Sequence, residues 1–222
     1  MLFRGYPSLF SGGIGTMRGV LHNIDTGDHP PIRQSFYRVS LEKTDVMRQE
    51  VSKMLDLGVC RPSNSEWASP LILVKKADAT WRPCVDYRRL NSVSKGDSYP
   101  LPRLDDLVDS IGTARFISVL DAMKGYWQIQ LTDRAREVSA FCTSFGHFEF
   151  TVMPFGVRGG PATFQRAINR ILAGLEEFAV AYIDDIVVFS HTWEDHVKHL
   201  QAVFSRLSEH NVTLNAAKCN VW

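Results

Sequence analysis

Apolar residues along this chain change period several times, and the changes divide it into elements. Residues 1–35 keep no sustained period and are punctuated by Gly12-Gly13 and Pro30-Pro31, which predicts a segment that is extended or partly disordered. Helical spacing starts near Thr44, read as an N-cap before Asp45; Met47, Val51, Met54 and Leu55 form one stripe, and Gly58 ends it. Two β-prone runs, 71–75 and 83–87, flank the polar residues 77–80 and predict an antiparallel hairpin with lysines at its tip. A further run, 115–120, leads straight into Asp121, and the runs 141–144 and 148–152 form a second hairpin around Gly146. After the Gly/Pro-rich stretch 155–161, helical spacing returns at Phe164, Ile168, Ile171, Leu172 and Leu175, with Pro161 in the first turn, where no backbone donor is needed. The runs 178–183 and 186–189 enclose only Asp184-Asp185, a tight hairpin with two acids at its tip. A last helix opens at Thr192, with Glu194 and Asp195 suited to the positive end of its dipole and Val197, Leu200, Val203, Phe204 and Leu207 as its stripe. This order is α+β, without βαβ repetition or internal repeats.

Composition narrows the class. With 222 residues, 45% hydrophobic, and 13 Phe, 6 Tyr and 5 Trp, the chain has ample core material, which excludes a disordered or low-complexity protein. A net charge of +1 gives no support for a nucleic-acid partner, but its distribution is uneven. Residues 75–103 carry seven bases (Lys75, Lys76, Arg82, Arg88, Arg89, Lys95, Arg103) against three acids, whereas 176–222 carry seven acids against three bases. One stretch suits phosphates and the other concentrates negative charge; scattered solvated charge is the plainer alternative. The four cysteines lie far apart with no C-x-x-C pair, which fits neither a zinc site nor a disulfide scaffold. Without a long apolar run or a signal-peptide core, the expectation is a soluble, non-secreted, cytoplasmic protein with no membrane partner. His196-x-x-His199 lacks the spacing of a zinc helix and reads as solvated or core histidines, and Gly12-Gly-Ile-Gly15 reads as loop.

The chemistry-bearing pattern is acidic. Asp184 and Asp185 stand between two apolar strands, where like charges resist ionising together. A divalent cation relieves that tension, and magnesium takes carboxylate oxygens; a plain turn containing two aspartates is the alternative. Asp121 also ends an apolar strand, so all three carboxylates meet if those strands are neighbours. Three carboxylates can hold two metals for in-line phosphoryl displacement.

Seven blocks then resemble one family. They are residues 58–70 (Gly-Val-Cys-Arg-Pro-Ser-Asn-Ser-Glu-Trp-Ala-Ser-Pro), 81–91 (Trp-Arg-Pro-Cys-Val-Asp-Tyr-Arg-Arg-Leu-Asn), 99–103 (Tyr-Pro-Leu-Pro-Arg), 120–130 (Leu-Asp-Ala-Met-Lys-Gly-Tyr-Trp-Gln-Ile-Gln), 148–156 (Phe-Glu-Phe-Thr-Val-Met-Pro-Phe-Gly), 161–165 (Pro-Ala-Thr-Phe-Gln) and 182–185 (Tyr-Ile-Asp-Asp). In this order and spacing they resemble the reverse transcriptases of gypsy-type LTR retrotransposons, with retroviral enzymes as more distant relatives. The resemblance implies an α+β right-hand polymerase with fingers and palm: an antiparallel palm sheet backed by helices, with the thumb absent. The implied divisions are 1–35 as N-terminal segment, 36–95 and 129–159 as fingers, and 96–128 and 160–222 as palm. It implies an RNA-directed DNA polymerase that adds deoxynucleotides to a primer 3′-hydroxyl on an RNA or DNA template. Asp121, Asp184 and Asp185 are then the ligands of two Mg2+ ions, with Mn2+ as an alternative. The implied nucleotide-binding residues are Lys76 and Arg82, which grip the triphosphate, Tyr126 under the deoxyribose, Phe155 and Gly156 on the loop beside the templating base pair, and Gln165, a polar position on the helix behind that loop. Tyr182 is implied to lie near the primer terminus, and Trp67 and Asn64 to approach the template. For Lys76 and Arg82 the structural alternative is an exposed hairpin cation, for Tyr126 and Tyr182 a packed aromatic, and for Trp67 and Asn64 simple packing.

Departures from the family pattern are also legible. Arg158-Gly159-Gly160 replaces the Thr-Asn-Ala stretch usual in gypsy-type enzymes and predicts a looser loop. Pro83 replaces an aromatic residue and withdraws a backbone donor, which the hairpin tolerates at an edge. The chain stops at Trp222, before the primer grip, thumb and ribonuclease H regions of complete relatives, so a fragment of a polyprotein, with virus-like particles as a second location, is the expectation. The competing functions are a catalytically inactive nucleic-acid-binding remnant and a two-metal nuclease.

Overall fold

Valine, isoleucine and phenylalanine crowd the longer strand-forming runs, such as 116–119 and 186–189. In the computed structural model the strands are β1 (Leu21–His22), β2 (Cys60–Pro62), β3 (Ser69–Lys75), β4 (Trp81–Val85), β5 (Phe116–Asp121), β6 (Gln130–Leu131), β7 (Phe141–Thr143), β8 (Gly146–Phe150), β9 (Ala179–Tyr182) and β10 (Asp185–Ser190). The helices are α1 (Leu41–Asp56), α2 (Arg88–Val93), α3 (Leu104–Ile111), α4 (Asp133–Val138), α5 (Gly160–Ile171) and α6 (Trp193–Glu209), with a 3-10 turn over Gly125–Gln128. Two units result: Met1–Val20, Ser98–Ile129 and Pro161–Trp222 form the first, and Leu21–Asp97 with Gln130–Gly160 the second. Within them the structure describes residues 5–76, 80–183 and 185–220.

The first unit is built on an antiparallel sheet in the order β5-β10-β9. Both faces of its central strand are covered, which explains why β10 reads as an unbroken apolar run. Val187 and Phe189 join Leu107 of α3 in one cluster, with Ile111, Ile117 and Val119 packed around them. On α6, His196 is fully buried and lies 2.8 Å from Ser118 of β5 and 2.9 Å from Ser190 of β10. Ser190 also meets His199, whose ring stacks on Phe178 at 3.8 Å. The two histidines therefore serve the core, one of the two uses their spacing allows.

Residues 5–20 show little regular structure, as their lack of period predicts, yet they are anchored. Leu9 is fully buried and its carbonyl accepts from Leu214 N–H, while Tyr6 meets Ser205 and packs edge-on against Phe204. Single apolar anchors leave no periodic signal, so this docking is invisible in the sequence pattern. A Cβ on Gly15 would lie 2.4 Å from the Asn211 carbonyl, so the close approach there requires glycine.

The second unit holds a sheet in the order β2-β8-β7-β3-β4, with β3 and β7 parallel and the other pairs antiparallel. β4 is an edge strand, so Pro83, opposite Leu73, costs no ladder on its outer side. Arg61 faces Glu149 across β2 and β8 and pairs with it at 2.7 Å, and Ser63 donates to the same buried carboxylate at 2.6 Å. α1 begins three residues before Thr44, because Ser40 supplies the cap by accepting from Lys43 N–H. Among the described residues no helix is long and apolar enough to cross a membrane.

Buried His22 makes stability pH-dependent. Desolvation lowers its pKa from 6.5 to about 4, partly opposed by Asp97. Between those values the unfolded chain binds the proton and the folded chain does not, so stability is complete above about pH 6.5 and declines as pH falls toward 4. The loss approaches about 3 kcal/mol at the acid end. Melting temperature measured across this range should fall on acidification, and a His22→Asn variant should show a shallower slope.

Candidate active site

The acidic cluster follows from strand register. β5 and β10 pair antiparallel over six rungs, and the last rung sets Asp121 opposite Asp185. Asp185 opens β10 and also pairs with Tyr182 of β9, so only two positions of the sequence separate the paired residues. The sequence reading put both acids in the turn; the structure moves Asp185 into the strand, because its backbone is ladder-bonded. Asp184 lies outside the described residues. Ile183 sits at φ +54°, a left-handed backbone that a β-branched side chain adopts only under constraint.

Burial and the Asp121 charge, in that order, push the Asp185 carboxyl above its ordinary range, with Lys218 opposing. The Lys218 Nζ stands 3.5 Å from Asp121 Oδ2, and the Asp121 carbonyl accepts from Asn215 N–H. Two carboxylates set opposite each other by strand register, one resisting ionisation and their charge only partly offset by Lys218, are an anionic pair that a hard divalent cation suits. Among the described residues no group of three or more acidic, histidine or cysteine side chains forms a metal centre.

The other predicted residues of this unit surround the hairpin in different ways. Tyr126 lies in the 3-10 turn, 8% exposed, with its ring 5.5 Å from that of Phe164. The adjacent Gly125 is required, since a Cβ there would stand 2.7 Å from the Phe164 ring. Tyr182 is half-buried and packs against the Leu107, Val187 and Phe189 cluster. Gln165 is 1% exposed, and its amide is engaged with Ala181, Ile183 and Asn169.

The second unit carries the remaining ones. Arg82 pairs with Val74 in the β3–β4 ribbon, and Lys76 follows two residues beyond Val74, so the two exposed cations share one face. Lys76 N–H donates to Thr80 carbonyl, closing the described part of the tip. Phe155 is 46% exposed, and Gly156 has φ +91°, which glycine alone adopts freely. Trp67 is 3% exposed beneath the Arg134 guanidinium, which makes it a packing residue, whereas Asn64 is exposed.

The expected looseness of the loop after Gly156 is not what the structure shows. Asn91 Nδ2 donates to the Gly156 carbonyl and its Oδ1 accepts from Arg158 N–H, both at 2.8 Å. The Arg158 guanidinium then donates to the Ser94 and Asn91 carbonyls. Arg158, the residue thought to mark a loosened segment, is what ties it down. Asn91 and Lys218 went unnoticed in sequence because their partners lie 67 and 97 positions away.

Known proteins resemble this chain in sequence and in fold. Residues 74–222 match the family described as "Reverse transcriptase (RNA-dependent DNA polymerase)". The chain is 35% identical over 206 residues to a retrovirus-related Pol polyprotein from transposon 297 of Drosophila melanogaster, covering 90% of this chain and 20% of that protein. It is 33% identical over 206 residues to the corresponding polyprotein from transposon gypsy of the same organism, again 90% and 20%. The chain thus spans about a fifth of the length of these curated relatives. Among solved structures, a prototype foamy virus protease-reverse transcriptase superposes with a TM-score of 0.89 at 26% identity, over 99% of this chain and 30% of that one. A foamy viral protease-reverse transcriptase in complex with RNA/DNA hybrid shares the fold, with a TM-score of 0.90 at 24% identity over 99% and 30%.

The raised Asp185 carboxyl gives a direct expectation. Its ionised form costs stability at neutral pH, so Asp185→Asn in metal-free buffer should raise the melting temperature by about 1–3 °C. Added magnesium should stabilise the unsubstituted chain and leave the variant unmoved; the reverse pattern in thermal melts would remove the acidic pair as a cation site.

Proposed function

The chain belongs to the reverse transcriptase family, and on that premise we propose that it carries the nucleotidyl-transfer site of an RNA-directed DNA polymerase. The observation that carries this reading is the register pairing of Asp121 with Asp185 at the end of two covered strands. Asp121, Asp184 and Asp185 are the residues assigned to two Mg2+ ions, or Mn2+ in their place. Those carboxylates would hold the ions, whose presence would supply Lewis-acid chemistry for the primer 3′-hydroxyl and charge neutralisation for the pyrophosphate.

The chain's own residues supply the rest. The unit built on β5, β9 and β10 is assigned as palm and the other as fingers. Lys76 and Arg82 are assigned to the triphosphate of the incoming deoxynucleotide, where a point charge and a bidentate fork suit phosphate oxygens. Tyr126 is assigned to the deoxyribose, its ring filling the volume that a 2′-hydroxyl needs; the packing of that ring on Phe164 keeps it from yielding. Phe155 and Gly156, on the loop fixed by Asn91, are assigned to the templating base pair. Tyr182 is assigned to the primer end. The bond formed joins the 3′-oxygen to the α-phosphorus, and the bond broken releases pyrophosphate.

Extension of a labelled DNA primer on an RNA template, with deoxynucleotides and magnesium, tests the reading. The chain should extend the primer and an Asp184→Asn, Asp185→Asn double variant should not. Template-primer binding without extension by either protein would favour the inactive remnant. In the active case, Tyr126→Ala should raise ribonucleotide incorporation by roughly 10–100-fold, read from competition between the two sugars.

A further inference from the structure

Gln128 closes the turn that carries Tyr126. It ends the 3-10 turn over Gly125–Gln128 and is fully buried. Its Nε2 donates to the Met123 carbonyl at 2.9 Å, across the base of the turn, and to the Thr213 carbonyl at 2.8 Å, while its Oε1 accepts from Thr213 N–H at 2.9 Å. Met123 N–H meets the same Thr213 carbonyl at 2.9 Å, so both ends of the turn hang on one residue. Thr213 is itself clasped. Its Oγ1 donates to the Gly13 carbonyl and accepts from Gly15 N–H, each at 2.9 Å, and Met17 N–H donates to the Gln128 carbonyl at 2.7 Å. Gly15 lies so close that a Cβ there would stand 2.9 Å from Gln128 Oε1. Inside the turn Lys124 sits at φ +48°, a left-handed backbone that a lysine keeps only where its surroundings hold it.

We infer that Gln128 and Thr213, fastened by residues 13–17, are positioning residues that fix the depth of the Tyr126 ring and so set how strictly the site refuses a ribose. The inference rests on reading Tyr126 as the residue under the deoxyribose. Its physical basis is local. The Tyr126 ring rests on Phe164, which stops it from sinking; the bonds of Gln128 stop the backbone beneath it from shifting. With an apolar side chain at 128, the Met123 carbonyl loses a donor and Thr213 N–H loses its acceptor, and the turn between them regains freedom. Tyr126 can then withdraw by the small distance that a 2′-hydroxyl needs, and exclusion by contact falls off over such distances. Gln128 is 0% exposed, so it acts through Tyr126 and does not meet the nucleotide.

The test measures ribonucleotide against deoxynucleotide incorporation opposite one template base, as a ratio of kcat/KM. The unsubstituted chain, Gln128→Met, Thr213→Val and Thr213→Ser are compared, each alone and combined with Tyr126→Ala. A ratio is needed because Asn215 N–H donates to the Asp121 carbonyl, so a general loosening of this segment would lower both rates together. Gln128→Met and Thr213→Val should each raise the ribonucleotide share by about 3–10-fold. Thr213→Ser keeps the hydroxyl and should keep the unsubstituted ratio. With Tyr126→Ala no ring is left to position, so neither substitution should add more than about twofold. Thr213→Val, close in shape to the original, keeps the test decisive if Gln128→Met does not fold. An unchanged ratio in Thr213→Val, or an equal rise in both backgrounds, overturns the inference alone. A ratio that Tyr126→Ala leaves unmoved overturns the sugar reading of Tyr126, and the inference with it. If the chain does not extend a primer, the polymerase reading falls, and positioning is read by fluorine NMR of chain labelled with fluorotyrosine. The Tyr126 resonance, identified by its loss in Tyr126→Phe, should shift or broaden in Thr213→Val and return in Thr213→Ser; a resonance that stays in place overturns the inference.

Discussion

The pairing of β5 with β10 is the constraint on which the rest of the first unit depends. Six rungs of ladder force Asp121 against Asp185, and an isolated hairpin would not tolerate that charge pair. Packing supplies the difference. Val187 and Phe189 are sealed by α3 on one face, and on the other His196 joins Ser118 and Ser190, so a slip of one residue would turn both sets toward the wrong partners. Lys218 offsets part of the charge while leaving Asp185 in tension. The site is a strained electrostatic arrangement held by an apolar sandwich, as is common where structure is spent on function.

Much of this could be read from residues alone, where the signal was local. Apolar runs ending in Asp121 and flanking Asp184-Asp185 located the strands, and Pro161 marked the start of α5. Motif blocks then ordered the elements. What escaped was long-range or short. α2 and α4 span six residues each, too few for a helical stripe to declare itself. α3, at eight residues, closes the sheet from a segment rich in Asp and Leu that carries no strong boundary signal. The Ser40 cap was passed over for Thr44 because both residues suit the position and only the hydrogen bond to Lys43 separates them.

Glycine content proved a poor guide to mobility. Two glycines after Arg158 suggested a loop with freedom to lose, yet Gly159 at φ +83° and Gly156 at φ +91° are the shape of the loop, and Asn91 with Arg158 fixes it. Backbone freedom in the unfolded chain and rigidity in the folded one are separate quantities. The same separation holds at Ile183, where a stiff residue occupies a flexible residue's conformation.

The two units also differ in how the chain is laid into them. The second closes with residues no later than 160, whereas the first draws on residues 5–20, then 98–129, and receives its central strand, β10, only at 185–190. Leu9 finds its partner at Leu214. A ribosome releasing this polypeptide from its N-terminus therefore emits every strand of the second unit before the first has a sheet to join. Phe116, Ile117 and Val119 must wait, unpaired, for some seventy residues of synthesis, a window in which chaperone capture or self-association competes with folding. The order of translation, more than the final stability, sets where this architecture is vulnerable.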